Sequence, residues 1–99
     1  MSSEVLSLAI LEPVAGREEE CIRFLLEFYE VLTRKGYSRD LLYRDAKNHG
    51  RLLNFRYWTS EEMRREAQHD PEVHKYWQRL PEMCSVSSIY ETLEKVDGR

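Results

Sequence analysis

Three side chains alternate along one short segment and carry groups able to hold an organic molecule through hydrogen bonds and ring contacts. Asn54, Arg56 and Trp58 bring an amide, a guanidinium and an indole. Because successive side chains of a β-strand point to opposite faces, residues two and four positions apart share a face. If this segment is a strand, the three side chains can line one cavity. The pattern does not indicate which face of a sheet they occupy.

Each of the three also has a purely structural interpretation. Trp58, at the end of a predicted strand, can serve as a core or interface aromatic because it buries a large area. Asn54 can satisfy a neighbouring backbone group, and Arg56 can pair with Asp45 across a hairpin. The sequence leaves both interpretations open.

A second candidate for chemistry is His74, whose imidazole could take a phenolic proton near neutral pH if it faces the cavity. It could equally sit at a subunit rim, since it adjoins the apolar stripe of a predicted helix. His69, Asp70 and His74 do not form a predicted metal site, because the two histidines do not share an i,i+4 face and Asp70 suits a helix cap. No phosphate loop, dinucleotide fingerprint or nucleophile elbow is present.

The composition limits the class of protein. The chain has 99 residues, enough for one domain over 1–99 with an ordered core over 3–96. A net charge of −3 and a pI of about 5.6 argue against nucleic-acid binding, and no segment resembles a signal peptide or membrane span. We therefore expect a cytoplasmic protein with neither a nucleic-acid nor a membrane partner. Its two cysteines, Cys21 and Cys84, are expected to be reduced packing residues.

The apolar periodicity predicts the order strand, helix, hairpin, bent helix, strand. We expect a strand over 4–12, a helix over 18–35 closed by Gly36, strands over 39–47 and 51–58, and a last strand over 83–95. The hairpin turn is expected at Asn48-His49-Gly50 with positive φ angles. The bent helix is expected to start at a capping box from Thr59 to Glu62, restart at Asp70-Pro71 and stop at Pro81. A frayed end is expected at Asp97-Gly98-Arg99.

This order predicts an α+β, ferredoxin-like β-α-β-β-α-β domain, with both helices on one face of a four-stranded antiparallel sheet. The other face would stay open. Since the first and third strands are apolar on both sides, a lone subunit would expose a large apolar patch. A symmetric homodimer that packs sheet against sheet is therefore expected.

The residues that follow the third strand carry a resemblance to a known family. The segments Asn-Phe-Arg-Tyr-Trp-Thr-Ser-Glu-Glu at 54–62, Asp-Pro-Glu-Val-His-Lys-Tyr-Trp at 70–77 and Pro-Val-Ala-Gly-Arg-Glu-Glu-Glu at 13–20 resemble the antibiotic biosynthesis monooxygenase family. The match in order and spacing spans nearly the whole chain. The resemblance implies a dimeric α/β barrel with a pocket between the sheet and the helices of each subunit.

The resemblance also implies a chemistry: oxidation of a small aromatic, anthrone or quinol-type molecule by dioxygen, with neither metal nor cofactor. The deprotonated substrate would supply the electrons. Asn54 would bind a substrate oxygen, the Trp58 indole would pack against the substrate ring, and Arg56 would stabilise developing negative charge. His74 and Asn54 are then the candidate catalytic residues.

The chain departs from the family pattern at informative positions. The haem-degrading branch has an Asn, a Trp and a His where this chain has Ala9, Ala67 and Trp77, so haem degradation is disfavoured. Many other members carry a His at the position of Ala67. Two alternatives therefore stay open: a non-catalytic dimeric module that binds a small molecule or a partner, and an isomerase that uses His74 without oxygen.

Overall fold

A computed structural model describes residues 4–96, and the expected frayed end at 97–99 lies outside that range. Alternating apolar residues form the strands, and stretches of 3.6-residue periodicity form the helices, as predicted. The elements are β1 (Val5–Pro13), α1 (Glu18–Arg34), β2 (Ser38–Arg44), β3 (Leu52–Trp58), α2 (Glu61–Ala67), α3 (Pro71–Met83) and β4 (Cys84–Leu93).

The four strands form one antiparallel sheet in the order β2-β3-β1-β4. β1 lies at the centre, where Leu8 faces Phe55 and Ala9 faces Asn54 of β3. This strand order and the β-α-β-β-α-β chain order confirm the predicted α+β, ferredoxin-like fold. The hydrophobic core lies between one face of the sheet and the helices α1 and α3.

α1 packs on the sheet through an apolar stripe that includes Cys21, Leu25 and Leu32, all buried. Its end is a Schellman motif, in which the N–H groups of Gly36 and Tyr37 donate to the carbonyls two and three residues inside the helix end. Gly36 has φ +77°, a left-handed conformation that costs glycine little. The predicted closure of the helix at Gly36 is confirmed.

The start of α2 differs from the prediction. Ser60, not Thr59, is the N-cap: its Oγ accepts a hydrogen bond from the N–H of Met63 at 3.1 Å. The Thr59 hydroxyl donates instead to the carbonyl of Gly36 at 2.8 Å, tying the end of β3 to the end of α1. The predicted restart is confirmed, because the Asp70 carboxylate caps α3 by accepting from the N–H of Glu72 at 2.9 Å.

Two predicted boundaries are wrong. Pro81 does not stop α3, which runs on to Met83, because a proline so near a helix end removes a single backbone hydrogen bond. The β2-β3 connection is longer than a tight hairpin, and among residues 4–96 only Gly16 and Gly36 have positive φ. The side chains of Asp45 and Asn48 accept hydrogen bonds from backbone N–H groups two residues on, which builds two successive turns instead.

The sheet face opposite the helices is apolar and open. Leu41, Tyr43 and Tyr90 on this face are exposed, and Tyr43 meets Phe55 edge to face at 5.7 Å between ring centroids. Arg39 covers the ring of Tyr57 at 3.9 Å. No helix within residues 4–96 has the length and hydropathy needed to cross a membrane.

Candidate functional site

β3 places Asn54, Arg56 and Trp58 together on the helix-covered face of the sheet. The register sets Arg56 between Ser7 of β1 and Asp40 of β2. Asn54 and Trp58 are each only 5% exposed. The prediction that the three residues share a face is therefore confirmed, and the structure adds that this face lies under the helices.

A buried carboxylate organises the polar end of this group. Arg56 Nε donates to Asp40 Oδ2 at 2.6 Å, and Asn54 Nδ2 donates to the same oxygen at 3.1 Å. The Ser38 hydroxyl donates to Asp40 Oδ1 at 2.8 Å. The Asp40 side chain has no exposed surface and that of Arg56 has 11%. A buried charge needs this degree of pairing, because a buried charge without a partner lowers the stability of the fold by roughly 3–5 kcal/mol.

The pairing of Arg56 with Asp40 replaces the alternative of a pairing with Asp45. The hairpin register sets Asp45 beside Arg51, where its backbone N–H donates to the Arg51 carbonyl at 3.0 Å. Asp45 therefore lies near the turn, away from Arg56. The structural interpretation of Asn54 holds in part, because its amide also approaches the Leu41 carbonyl at 3.4 Å.

Aromatic rings surround the Arg56 guanidinium. Its Cζ lies 5.3 Å from the ring centroid of Phe28, 5.6 Å from that of Tyr29 and 5.2 Å from that of Trp58. Rings at such distances attract a cation through their π faces. Within residues 4–96 the guanidinium makes one hydrogen bond, through Nε to Asp40. Its two terminal nitrogens thus keep N–H groups with which to bind an oxygen.

Tyr29 was not among the predicted site residues. The side chain is 6% exposed, and within residues 4–96 its hydroxyl is buried with no hydrogen-bond partner. Burial raises the pKa of this phenol. The charge of nearby Arg56 lowers it by a smaller amount. The hydroxyl therefore stays protonated and can donate. A tyrosine, rather than a phenylalanine, in the packing stripe of α1 was the available signal, since a buried phenol usually has a partner.

The structure does not bring His74 into this group. His74 is exposed on α3, its Nε2 lies against the Gln68 carbonyl, and its ring meets Trp77 edge to face at 5.7 Å. Its role as a base stays a prediction. Among residues 4–96 no three His, Cys, Asp or Glu side chains are arranged to hold a metal ion. Asp70 is already bound to Lys35 at 2.8 Å and to the Tyr37 hydroxyl at 2.7 Å.

Three cavities of the described chain lie away from these residues. One of about 440 Å³ lies between α1 and α3 over Phe24 and Tyr76, and one of about 430 Å³ lies at the α2-α3 junction beside His74. A third, of about 310 Å³, is on the open sheet face. Asn54, Arg56 and Trp58 line none of these three. Asn54 and Trp58 are each 5% exposed and the Arg56 side chain is 11% exposed, so neighbouring side chains largely cover this group of three residues, the Arg56 group, in a single subunit.

Comparisons with known proteins support the fold. No protein-family model and no curated protein matches the sequence. Among solved structures, the chain is similar to SnoaB, a cofactor-independent oxygenase from Streptomyces nogalater, with a TM-score of 0.77 and 17% identity, over 95% of this chain and 97% of that one. It is also similar to a Chloroflexus aurantiacus protein provisionally described as an antibiotic biosynthesis monooxygenase, with a TM-score of 0.77 and 16% identity, over 98% and 97% of the two chains.

A third similar structure is Rv0793 from Mycobacterium tuberculosis, with a TM-score of 0.73 and 18% identity, over 96% of this chain and all of that one. These TM-scores establish the fold, and such low sequence identities leave the activity open. The structural neighbours of the chain thus include monooxygenases of the family that its sequence resembles, and the predicted resemblance is confirmed at the level of the fold.

Proposed function

We propose that the chain is a cofactor-independent monooxygenase that acts on a small aromatic, anthrone or quinol-type molecule with dioxygen. One observation carries the proposal: the Arg56 side chain, 11% exposed, sits among three aromatic rings with its terminal N–H groups unused by the described chain. Such a setting suits a planar ring that bears an oxygen. The fold shared with SnoaB, a cofactor-independent oxygenase, supports the same reaction class.

The residues have separate roles in the proposed reaction. For a ring methylene, the balance is CH₂ + O₂ → C=O + H₂O, with all electrons supplied by the substrate. Arg56 would stabilise the anion left after the substrate loses a proton, and the Trp58 indole would pack against the substrate ring. Asn54 would orient the substrate through an oxygen. Because the group is enclosed, we expect side chains around Arg56 to shift when a ring enters.

A second candidate is a small-molecule-binding module of the same fold without catalysis. Two observations favour it: the Asn54 amide is already engaged by Asp40, and His74 lies outside the Arg56 group. Ala67 is fully buried, and it stands where many members of the family that the sequence resembles carry a histidine, so that base is absent here. An isomerase would require His74 to reach the substrate, which this arrangement does not provide.

Oxygen uptake distinguishes these candidates. We would measure dioxygen consumption with a panel of anthrones and hydroquinones, comparing the natural chain with Asn54→Ala and with Asn48→Ala, an exposed loop asparagine, as a matched control. The proposal predicts uptake that Asn54→Ala lowers and Asn48→Ala leaves unchanged. Binding of a compound that mass spectrometry recovers unaltered, with no uptake, would favour the binding module.

We also propose that the open sheet face is the surface of a homodimer. An isologous contact needs only one self-complementary surface, and the exposed Leu41, Tyr43 and Tyr90 supply an apolar one. The adjoining Phe55 and Tyr57 extend it across β3 and line its cavity with Leu41 and Tyr43. Packing of two such faces would bury these side chains, and it would leave the Arg56 group on the opposite side of each sheet. A cytoplasmic location remains a prediction.

A further inference from the structure

The two cysteines of the chain meet in the core, although they are far apart in the sequence. Cys21 lies near the start of α1, and Cys84 is the first residue of β4. Both side chains are buried, at 0% and 3% exposure, and they belong to the same hydrophobic cluster. The Cys84 thiol donates a hydrogen bond to the Cys21 sulfur, which lowers the pKa of Cys21 and raises that of Cys84. The two sulfur atoms are therefore direct neighbours.

Backbone hydrogen bonds hold the segments around this pair together. The Val14 N–H, between β1 and α1, donates to the Met83 carbonyl at 2.9 Å. The Arg17 guanidinium donates to the Glu82 carbonyl at 2.8 Å, and the Arg17 carbonyl accepts from the Cys21 N–H at 2.8 Å. Thiols in hydrogen-bond contact need only a short approach to reach the S–S distance of a disulfide, about 2 Å. The fold therefore holds the two cysteines ready to be linked.

The start of α1 offers a route by which a small oxidant could reach the buried sulfur. Arg17 occupies the N-cap position, and its side chain makes no capping hydrogen bond to the first turn. Ser, Thr, Asp or Asn at this position would satisfy one of the free N–H groups and stabilise the helix start. A helix end without such a cap opens locally more readily than the packed core does. We therefore expect transient opening of this turn to expose Cys21, while Cys84 stays in the sheet.

We propose that Cys21 and Cys84 form a redox-sensitive pair, which a peroxide converts into a reversible disulfide between α1 and β4. The Cys21 thiolate attacks one oxygen of hydrogen peroxide, the O–O bond breaks, and Cys21 becomes a sulfenic acid. The Cys84 sulfur then attacks the Cys21 sulfur, the S–O bond breaks, and the oxygen leaves as water. Overall, two thiols and one peroxide give one disulfide and two waters. A dithiol reverses the reaction by exchange.

The disulfide would fix the position of the helix that covers the Arg56 group. Besides Cys21, α1 carries Phe28 and Tyr29, whose ring centroids lie 5.3 and 5.6 Å from the Arg56 Cζ. A covalent link from α1 to β4 restrains the movement of this helix away from the sheet. Formation of the disulfide does not depend on the proposed function, because it needs neither a substrate nor turnover.

Treatment of the reduced chain with hydrogen peroxide tests the proposal. We expect the intact mass to fall by two hydrogens, both thiols to escape titration in denaturant, and one peptide pair to join Cys21 to Cys84. Dithiothreitol should restore both thiols. The link closes a loop over more than half of the 99 residues, so the urea midpoint of the oxidised chain should rise by about 1–3 M.

Two matched variants separate the roles of the cysteines. In Cys84→Ala, peroxide should leave a sulfenic acid on Cys21 that dimedone labels, and the urea midpoint should not rise. In Cys21→Ala, labelling of Cys84 should be slower, because no helix start opens to expose it. Low urea distinguishes local opening from global unfolding: the oxidation rate of the natural chain should hardly change there, since local opening exposes little surface.

Several results would overturn the proposal. Peroxide could leave both thiols intact, or produce sulfinic acid without a disulfide, or link separate chains to one another. An oxidised chain with a lower urea midpoint would show that the link strains the fold. An oxidation rate that rises with urea in step with unfolding would show that the cysteines react only in the unfolded chain, so the pair would not be a device of the fold.

Discussion

The buried ion pair of Asp40 and Arg56 makes a quantitative prediction about stability. Asp40→Asn removes the charge that compensates a guanidinium with 11% exposure, and Arg56→Met leaves a carboxylate that has no exposed surface. Removal of one partner from a buried pair costs about 3–5 kcal/mol, because the remaining charge is uncompensated. The double variant leaves no charge behind, so we expect it to lose at least about 2 kcal/mol less than the sum of the single losses.

Urea unfolding followed by circular dichroism measures this coupling. At a slope of about 1.5 kcal/mol per molar, a loss of 3 kcal/mol lowers the urea midpoint by about 2 M. Protein concentrations must be matched, since a dimer has a concentration-dependent midpoint. Arg39→Met is the control: Arg39 pairs with Glu4 at 3.1 Å on the surface, where an ion pair contributes about 1 kcal/mol or less.

The outcome that would refute this reasoning is additivity. If the losses of Asp40→Asn and Arg56→Met sum to that of the double variant within about 0.5 kcal/mol, the two charges are not coupled. Arg56 would then not be held by Asp40, and the placement of its terminal nitrogens would lose its support. A single variant that fails to fold supports the prediction only if the double variant folds.

Three further predictions concern pH, assembly and packing. Hydrogen bonds from Lys35 lower the pKa of Asp70 below its ordinary value of 3.8, so Asp70 stabilises the fold above about pH 3.8 and less as the pH falls through its folded value. Asp70→Asn keeps the helix cap, and its urea midpoint should change less between pH 7 and pH 3 than that of the natural chain. Phe55→Lys should yield a monomer by sedimentation, whereas an unchanged dimer would exclude the open face as the interface. Leu32→Ala, at 0% exposure, should cost about 2–5 kcal/mol in urea unfolding, and Leu26→Ala, at 52% exposure on the same helix, should cost far less; equal costs would contradict the packing of α1.

The fold could be predicted because the sequence pattern is locally consistent. Period-two alternation in β1 and β3, the apolar stripe of α1, and the Gly36 and Asp70 boundary residues all favour the same order of elements. The boundary at Thr59 could not be predicted, because it depends on a competing hydrogen bond, and the end of α3 could not, because a proline so near a helix end removes a single backbone hydrogen bond. Thr59 found a partner in Gly36 of another element, which no local pattern records.

The site could be predicted only in part. Spacing alone puts Asn54, Arg56 and Trp58 on one face, but β3 carries large apolar residues on both sides, so its pattern did not indicate which face lies under the helices. The partner of Arg56 depends on the register of the hairpin, and the expected tight turn did not supply that register. Tyr29 was missed because its helical spacing is that of a packing residue. Only the three-dimensional arrangement shows that its hydroxyl lacks a partner in the described chain.

The most direct test of the account is isotope labelling of the oxidised product. The natural chain, treated with a chelator to remove metal, would be incubated with anthrone under ¹⁸O₂, and the product examined by mass spectrometry. We predict one ¹⁸O atom in the new carbonyl. The product should form faster than in buffer alone, and Arg56→Met should abolish this acceleration. Product formation at the buffer rate, or an equal rate with Arg56→Met, would contradict an oxygenase reaction beside Arg56.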